Sequence, residues 1–338
     1  MHASFHIFPS VVETAPPSLD LHEGSLVEQL VLTDRGQVVL VGDLALSEGR
    51  SPGRIVNATP DQRDYRLLLK AALLVAGHGR SGPLSVGTGF PAATVRSNAE
   101  AATTLLSRGE PIGFDARPIG GPQVERLAVE VSNVSVISEI AACDVALREG
   151  PTRATGSHFM ISLGFGTCEA ALATPSGLVQ RSSVSLPGIR YAVERAMNDV
   201  ARTMPIGLRT EHQFDAHFRS GRITLGRERI SLLDYRKRAL DAYMENVITP
   251  ALANAWTPED FDRAEDLYIT GGGALYPSMI DAVRQEFGAS LTVHVAPEPL
   301  TLAALGYAFM AARDAAPGTT SVGIDIGNAN TCVCVLEQ

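Results

Sequence analysis

Short alternating apolar runs and helically spaced apolar stretches take turns along this chain. Residues 38–41 alternate and end at Gly42, which predicts a strand, and 43–49 follow as a short helix or loop. Residues 64–76 carry helical apolar spacing and stop at Gly77-His78-Gly79. A strand is expected over 84–88, running into Gly89-Phe90-Pro91, then a helix over 92–106 and strands over 124–131 and 134–137. The helix expected over 139–148 is stopped by Gly150-Pro151. A second set begins with an apolar strand over 159–163. It turns at Gly164-Phe165-Gly166-Thr167, returns over 168–173, bends at Gly177 and resumes as a strand over 178–184. Helices are predicted over 189–203, 230–247, 276–287 and 301–312, with strands over 267–270 and 291–295. On the 230–247 helix, Arg236, Lys237 and Arg238 fall on the wet side. Two further strands, 322–326 and 331–336, flank Gly327-Asn328-Ala329-Asn330.

Intermixed strands and helices predict α/β layers. The unit strand–polar turn–strand occurs twice, over 159–173 and 322–336, so two related halves are expected. A length of 338 residues accommodates two domains, and 45% hydrophobic residues supply a core. Lys and Arg number 28 against 37 Asp and Glu, a formal charge of −9. That balance argues against broad direct binding to nucleic acid or to anionic lipid, while leaving room for a local basic patch. Four cysteines without a CxxC pair read as buried free thiols in a reduced compartment, with Cys332 and Cys334 on one face of a strand. No 18-residue apolar segment and no basic-then-apolar start occur, so a cytoplasmic location without direct membrane contact is the expectation. His212 and His217, five apart, make no zinc pair, and no nucleophile elbow supports hydrolysis by a serine triad.

The glycine turns carry the candidate chemistry. Asp325 ends an apolar strand and is followed by small residues whose backbone N–H groups can approach an anion. Asp325 can hold water on a divalent cation, and Asn330 and Thr331 can donate to phosphate oxygens. Ser162, Gly164, Phe165, Gly166 and Thr167 repeat that layout. Gly271-Gly272-Gly273, after a strand and before a helix, offers close backbone access to a base, ribose or phosphate without Walker A or GxGxxG spacing. Each turn alone is equally what a plain bend or hairpin needs. Three of them in two halves favour a cleft between domains.

Together these turns resemble the actin-like ATPase superfamily, most nearly the bacterial plasmid-segregation actins (ParM- and StbA-like) and their archaeal relatives. Gly323-Ile324-Asp325-Ile326-Gly327-Asn328-Ala329-Asn330-Thr331 looks like the first phosphate loop, with a flavour of the cell-shape actins, and 159–169 like the second. Ile137-Ser138-Glu139-Ile140-Ala141-Ala142 resembles the connecting segment whose Glu orients the attacking water. Residues 267–275, through Gly271, Gly272, Gly273 and Ala274, resemble the adenosine motif, and 302–306 the helix after it. Val41-Gly42-Asp43-Leu44-Ala45 and 87–91 match segments usual in plasmid-type members. Arg190, Glu194 and Arg195 open the helix after Gly188, from which members of the family contact base or ribose.

The resemblance implies an actin-like (ribonuclease H-like) two-domain α/β fold with a central nucleotide cleft. Domain I is expected over 1–155 plus 299–338, and domain II over 156–298. In the family the first phosphate loop comes first. Here it comes last, and Phe8-Pro9-Ser10-Val11-Val12 looks like the segment that follows it, joined through Ala315-Ala316-Pro317-Gly318-Thr319-Thr320, so a circular permutation is expected. Ser162 stands where the family has Asp and Phe165 where it has Gly, which puts fast hydrolysis in doubt. The resemblance further implies ATP (or GTP) with Mg²⁺, Asp325 as the carboxylate behind the metal's water, Glu139 as the water-orienting carboxylate, self-association into filaments, and a DNA-binding adaptor as partner in plasmid segregation. The rival readings are a nucleotide-gated scaffold with weak hydrolysis, which Ser162 favours, and a small-molecule kinase of the same superfamily.

Overall fold

The computed structural model describes residues 2–50, 53–54, 57–204 and 211–337, with only the backbone given for 53–54 and 211–213. It divides into two compact units. Unit 1 takes residues 1–153 and 300–338, and unit 2 takes 154–299.

Unit 2 is built on a sheet through which the chain passes in order. The hairpin His158–Leu163 and Thr167–Thr174 is antiparallel, and Val184–Pro187 adds antiparallel to its outer strand. Asp266–Thr270 lies parallel to His158–Leu163 on the other side, and Thr292–Val295 lies parallel beyond it. Calling the strands of the hairpin first and second, the order across the sheet is 3-2-1-4-5. The first strand is buried along its whole length, because helices cover both faces of a sheet with parallel crossovers.

Unit 1 has the same order and the same directions. Thr320–Ile326 and Asn330–Glu337 form the central hairpin, and His2–Pro9 pairs antiparallel with the outer strand. Leu84–Phe90 pairs parallel with Thr320–Ile326, and Val131–Ser138 pairs parallel beyond it. Only the route of the chain differs: positions 3, 4 and 5 are filled first and positions 1 and 2 last. The helix Leu302–Arg313 packs on this sheet at backbone contact. A Cβ on Gly323 would collide with the Ala304 carbonyl, so this glycine sets how close helix and sheet come, and one on Gly306 would collide with the Ala142 carbonyl of the helix Glu139–Glu149, so that glycine sets how close the two helices come. A further sheet in unit 1, including Val11–Thr14, Val31–Asp34 and Gln37–Val41, packs Val31, Leu40 and Leu44 around Val11. All four cysteines are free and buried, and Cys332 and Cys334 share a face. No helix among the described residues is long and apolar enough to cross a membrane.

Several expected elements differ. The strand read over 178–184 is broken into Gly177–Leu178 and Val184–Pro187 by a turn at Gln180–Ser182. The Ser182 hydroxyl accepts from Leu172 N–H (2.9 Å) and donates to the Val179 carbonyl (2.7 Å), replacing ladder bonds. The helix read over 230–247 begins only at Leu233. Glu228–Ser231 is instead a strand, folded on Arg222–Leu225 so that Ile230 faces Ile223. The helix Leu233–Tyr243 passes through a wide π turn, Met244–Ile248, into Thr249–Ala255. Pro250 lacks an N–H to continue the ladder at that point. The strand read over 84–88 runs on to Phe90, where Gly89 and Phe90 pair with Ile137 and Ser138. Of the 124–131 alternation, only Glu125–Leu127 is a strand before Val131–Ser138 begins. The side chain of His212 lies outside the described residues.

Candidate functional site

In both units the predicted residues gather at the carboxyl edge of the sheet. This is where ligands bind in open α/β sheets, because the connecting loops there diverge and leave a crevice.

In unit 1, Asp325 sits at the end of strand 1, and Glu139 opens the helix Glu139–Glu149 directly after strand 5. With strand 4 between them, the two carboxylates reach toward a common space. Burial, and then the Glu139 charge, push the Asp325 carboxyl well above the usual carboxylate range. Beneath it, the Thr88 hydroxyl donates to the Ile324 carbonyl at 2.8 Å. Tyr65, bonded to Thr88 and stacked on Phe90 with ring centroids 5.8 Å apart, has its phenol pKa raised by burial and by Asp325. The turn after Asp325 is closed by Gly327 N–H to the Asn330 carbonyl at 3.0 Å. Ala329 accepts from Ser10 N–H at 3.0 Å, and the Thr331 hydroxyl meets the Ser10 hydroxyl at 2.9 Å in the buried interior. The Asn328 amide bonds Asn57 through both its oxygen and its nitrogen. The Thr331 and Asn328 side chains therefore brace this turn.

Unit 2 brings three separated segments together. Gly188, Ile189 and Arg190, where the chain enters the helix Arg190–Thr203, donate their N–H groups to the carbonyls of Gly166 (3.0 Å), Gly164 (3.0 Å) and Phe165 (2.9 Å). The loop 164–167 is thereby clamped on that helix start. A Cβ on Gly188 would sit 2.5 Å from the Gly164 and Phe165 carbonyl oxygens, so only glycine permits the clamp. The Tyr243 hydroxyl donates to the Pro187 carbonyl at 2.6 Å and fixes the residue before it. The turn Gly271–Ala274 packs on the same loop: a Cβ on Gly273 would lie 2.5 Å from the Leu163 Cβ and 3.1 Å from Ile189. Gly271 donates to the Pro299 carbonyl at 2.9 Å, with Gly272 half-buried beside it. Phe165 packs its ring against the core of unit 2. Glu194 is tied to Arg190 (2.7 Å), while Arg195 is exposed.

Ser162 is buried at the end of strand 1, opposite Glu169 on strand 2 and beside Thr270 on strand 4. Directly opposed residues share a face, so the buried Glu169 carboxylate stands next to the position where Ser162 carries no charge. The sequence reading missed Glu169, Tyr65 and Thr88. The signal for Glu169 was a charged residue in the apolar run 168–173, and for Thr88 a hydroxyl in the run 84–90.

Against solved structures, the chain superposes on an archaeal actin homolog, Ta0583, with a TM-score of 0.72 at 18% identity, covering 91% of this chain and 92% of that one. A ParM filament subunit from Clostridium botulinum matches with a TM-score of 0.72 at 17% identity over 90% and 92%. The chain has the actin-like fold. A family model described as the N-terminal domain of actin-like proteins matches residues 2–139. The cell shape-determining protein MreB of Haemophilus influenzae is 29% identical over 221 residues, 56% of this chain. The match takes in 62% of the length of that curated relative. Ta0583 has also been solved in complex with ADP, and that structure matches with a TM-score of 0.69 at 18% identity over 91% and 92%.

The actin-like chain has residues that fit a nucleotide and a hard cation. Two carboxylates at Asp325 and Glu139 repel each other in a poorly hydrated place, which a divalent cation relieves. The closely packed Gly188 and Gly273 leave the 164–167 backbone as a rigid surface for phosphate oxygens.

Proposed function

We propose that this chain is a nucleotide-dependent, filament-forming actin-like ATPase of the cytoplasm, serving DNA segregation through an adaptor protein, with unit 1 as domain I and unit 2 as domain II. The observation that carries the reading is the placement of Asp325 and Glu139 at the carboxyl edge of one sheet in unit 1, after strands 1 and 5. The clamped loop at the matching edge of unit 2 accompanies it. When bound, Mg²⁺ supplies charge neutralisation at the phosphates of ATP or GTP. Asp325 is the residue that would hold the ion. Glu139 would orient the attacking water by accepting a hydrogen bond from it at its carboxylate. Backbone N–H groups of 328–330 and 164–167 would donate to phosphate oxygens, and Gly271–Ala274 would let the nucleoside approach the backbone. Filament formation draws support from solved relatives described as a ParM filament and a MamK double helical filament.

A second reading, a nucleotide-gated scaffold with weak hydrolysis, is favoured by one observation. Ser162 supplies no charge where the resemblance places Asp, and the buried carboxylate directly opposite it in the ladder is that of Glu169.

The reading includes a circular permutation. Its support is internal. Both units share the order 3-2-1-4-5, yet unit 2 is traced in the order 1 to 5, and unit 1 begins at position 3. His2 and Glu337 are register partners on adjacent antiparallel strands, where a tight hairpin turn would restore the route of unit 2.

Sedimentation with ATP and Mg²⁺ tests the function. Nucleotide-dependent pelleting that is lost in Asp325→Ala supports it, and a chain that stays in the supernatant with every nucleotide refutes it.

A further inference from the structure

The basic residues of this acidic chain are unevenly spread. Between 219 and 238 lie seven of them, Arg219, Arg222, Arg227, Arg229, Arg236, Lys237 and Arg238, against Glu228 and Asp234 alone. In the structure this stretch is the hairpin Arg222–Leu225 and Glu228–Ser231 followed by the helix Leu233–Tyr243. The hairpin has two faces of opposite character. Ile223 and Ile230 face each other and pack on the core of unit 2. The alternate pairs, Arg222 with Ser231 and Thr224 with Arg229, form the outward face, and all four are exposed. Gly226-Arg227 makes the tip, with Gly226 at φ +61°.

Some of the seven cations have structural work. Arg219 pairs with Asp215 (3.0 Å), Lys237 with Asp241 (2.7 Å), and Arg236 donates to the carbonyls of Phe218 and Arg219 (3.1 and 2.9 Å). Arg222, Arg227 and Arg229 have no ion-pair partner among the described residues, and Arg238 rests over the Tyr235 ring at 4.9 Å. Three arginines on a short two-stranded ribbon in a chain of charge −9 are a local field of the opposite sign.

We infer that this ribbon is a direct binding surface for the phosphate backbone of duplex DNA, engaged without sequence preference through Arg222, Arg227 and Arg229, with Arg238 beside them. A two-stranded ribbon matches the width of the major groove, and exposed hydroxyls such as Thr224 add donors to phosphate. Arginine presents planar donor pairs suited to phosphate oxygens. A lipid surface fits less well, because the tip Gly226-Arg227-Glu228 offers no apolar wedge to the acyl layer. The inference is independent of filament assembly, and it limits the expectation drawn from net charge to binding by the rest of the surface.

The test titrates a fluorescein-labelled duplex of about 25 base pairs with the full chain, without nucleotide, over about 50–200 mM NaCl. Wild type is expected to bind, with log K falling against log salt at a slope near −3 to −4, as for about four neutralised phosphates. The triple variant R222E/R227E/R229E should bind at least about tenfold more weakly at the lowest salt, with a slope shallower than about −1. The R222K/R227K/R229K variant should keep the slope. Unchanged circular-dichroism melting checks that the reversals leave the fold intact, and R227E alone, at the solvated tip, gives a milder variant with an intermediate slope. No duplex binding by wild type at about 50 mM salt overturns the proposal, as does undiminished binding by the triple variant. So does arginine-dependent capture by phosphatidylserine vesicles without duplex binding.

Discussion

Replacing Gly188 with alanine tests whether the loop 164–167 is held by the clamp described above. The added Cβ would lie 2.5 Å from two carbonyl oxygens, those of Gly164 and Phe165, and 2.7 Å from the Phe165 carbonyl carbon. All three are backbone atoms, so no side chain can swing aside. The loop must retreat from the helix Arg190–Thr203 by several tenths of an ångström. Overpacking of this kind costs about 1–3 kcal/mol. The retreat also strains three backbone hydrogen bonds of 2.9–3.0 Å, each contributing about 1 kcal/mol when intact. The expected loss is about 2–5 kcal/mol, which lowers the melting temperature of unit 2 by roughly 5–15 °C. A phosphate-binding loop displaced by this amount should bind a fluorescent ATP analogue at least about tenfold more weakly, since about 1.4 kcal/mol is a factor of ten. The control is Gly156→Ala, whose added Cβ meets nothing within 4 Å. Equal melting temperatures and equal nucleotide affinity for Gly188→Ala and Gly156→Ala would refute the clamp.

Glu139→Ala should still sediment with ATP while releasing phosphate more slowly; unchanged release removes Glu139 from its water-orienting role. Ser162→Asp would place a second carboxylate opposite buried Glu169. It should lower stability without Mg²⁺ and raise the melting temperature on adding Mg²⁺ by more than in wild type, and an identical Mg²⁺ response would show that the position does not face the ion. Asp260, buried and held by Arg181 at 2.7 Å through both guanidinium nitrogens, has its carboxyl lowered to about 2 by that bond. Because the folded value lies below the unfolded 3.8, the contribution is complete above about pH 4 and lost as pH falls toward 2. Asp260→Asn should therefore cost about 2 kcal/mol at neutral pH and flatten the acid limb of the stability profile in urea titrations. An acid limb as steep as that of wild type would contradict this.

The two central hairpins were legible because each is an apolar run, a small-residue turn and a second run, as strands buried on both faces require. The join of segments in unit 2 was not. Gly188 stands 22 residues after Gly166 in sequence, and nothing local says that its N–H will close on that carbonyl. The 230–247 stretch misled because Ile230, Leu233 and Leu240 satisfy helical spacing; only the cross-strand pairing with Ile223 makes Ile230 a strand residue. Asp325 and Glu139 were each named from the sequence. Their mutual charge effect depends on the parallel order of strands 1, 4 and 5, a long-range property. Thr331 was read as a phosphate donor by its place in the turn, but the chain's opening segment brings Ser10 onto its hydroxyl.

The central claim is that nucleotide turnover in this chain is coupled to its assembly. Light scattering and phosphate release recorded together after adding ATP and Mg²⁺ test it most directly. The account predicts a scattering rise followed by phosphate release and a fall of scattering as nucleotide is spent, with Glu139→Ala prolonging the plateau. Scattering that persists without phosphate release would move the chain to the scaffold reading, and no scattering with any nucleotide would contradict the account altogether.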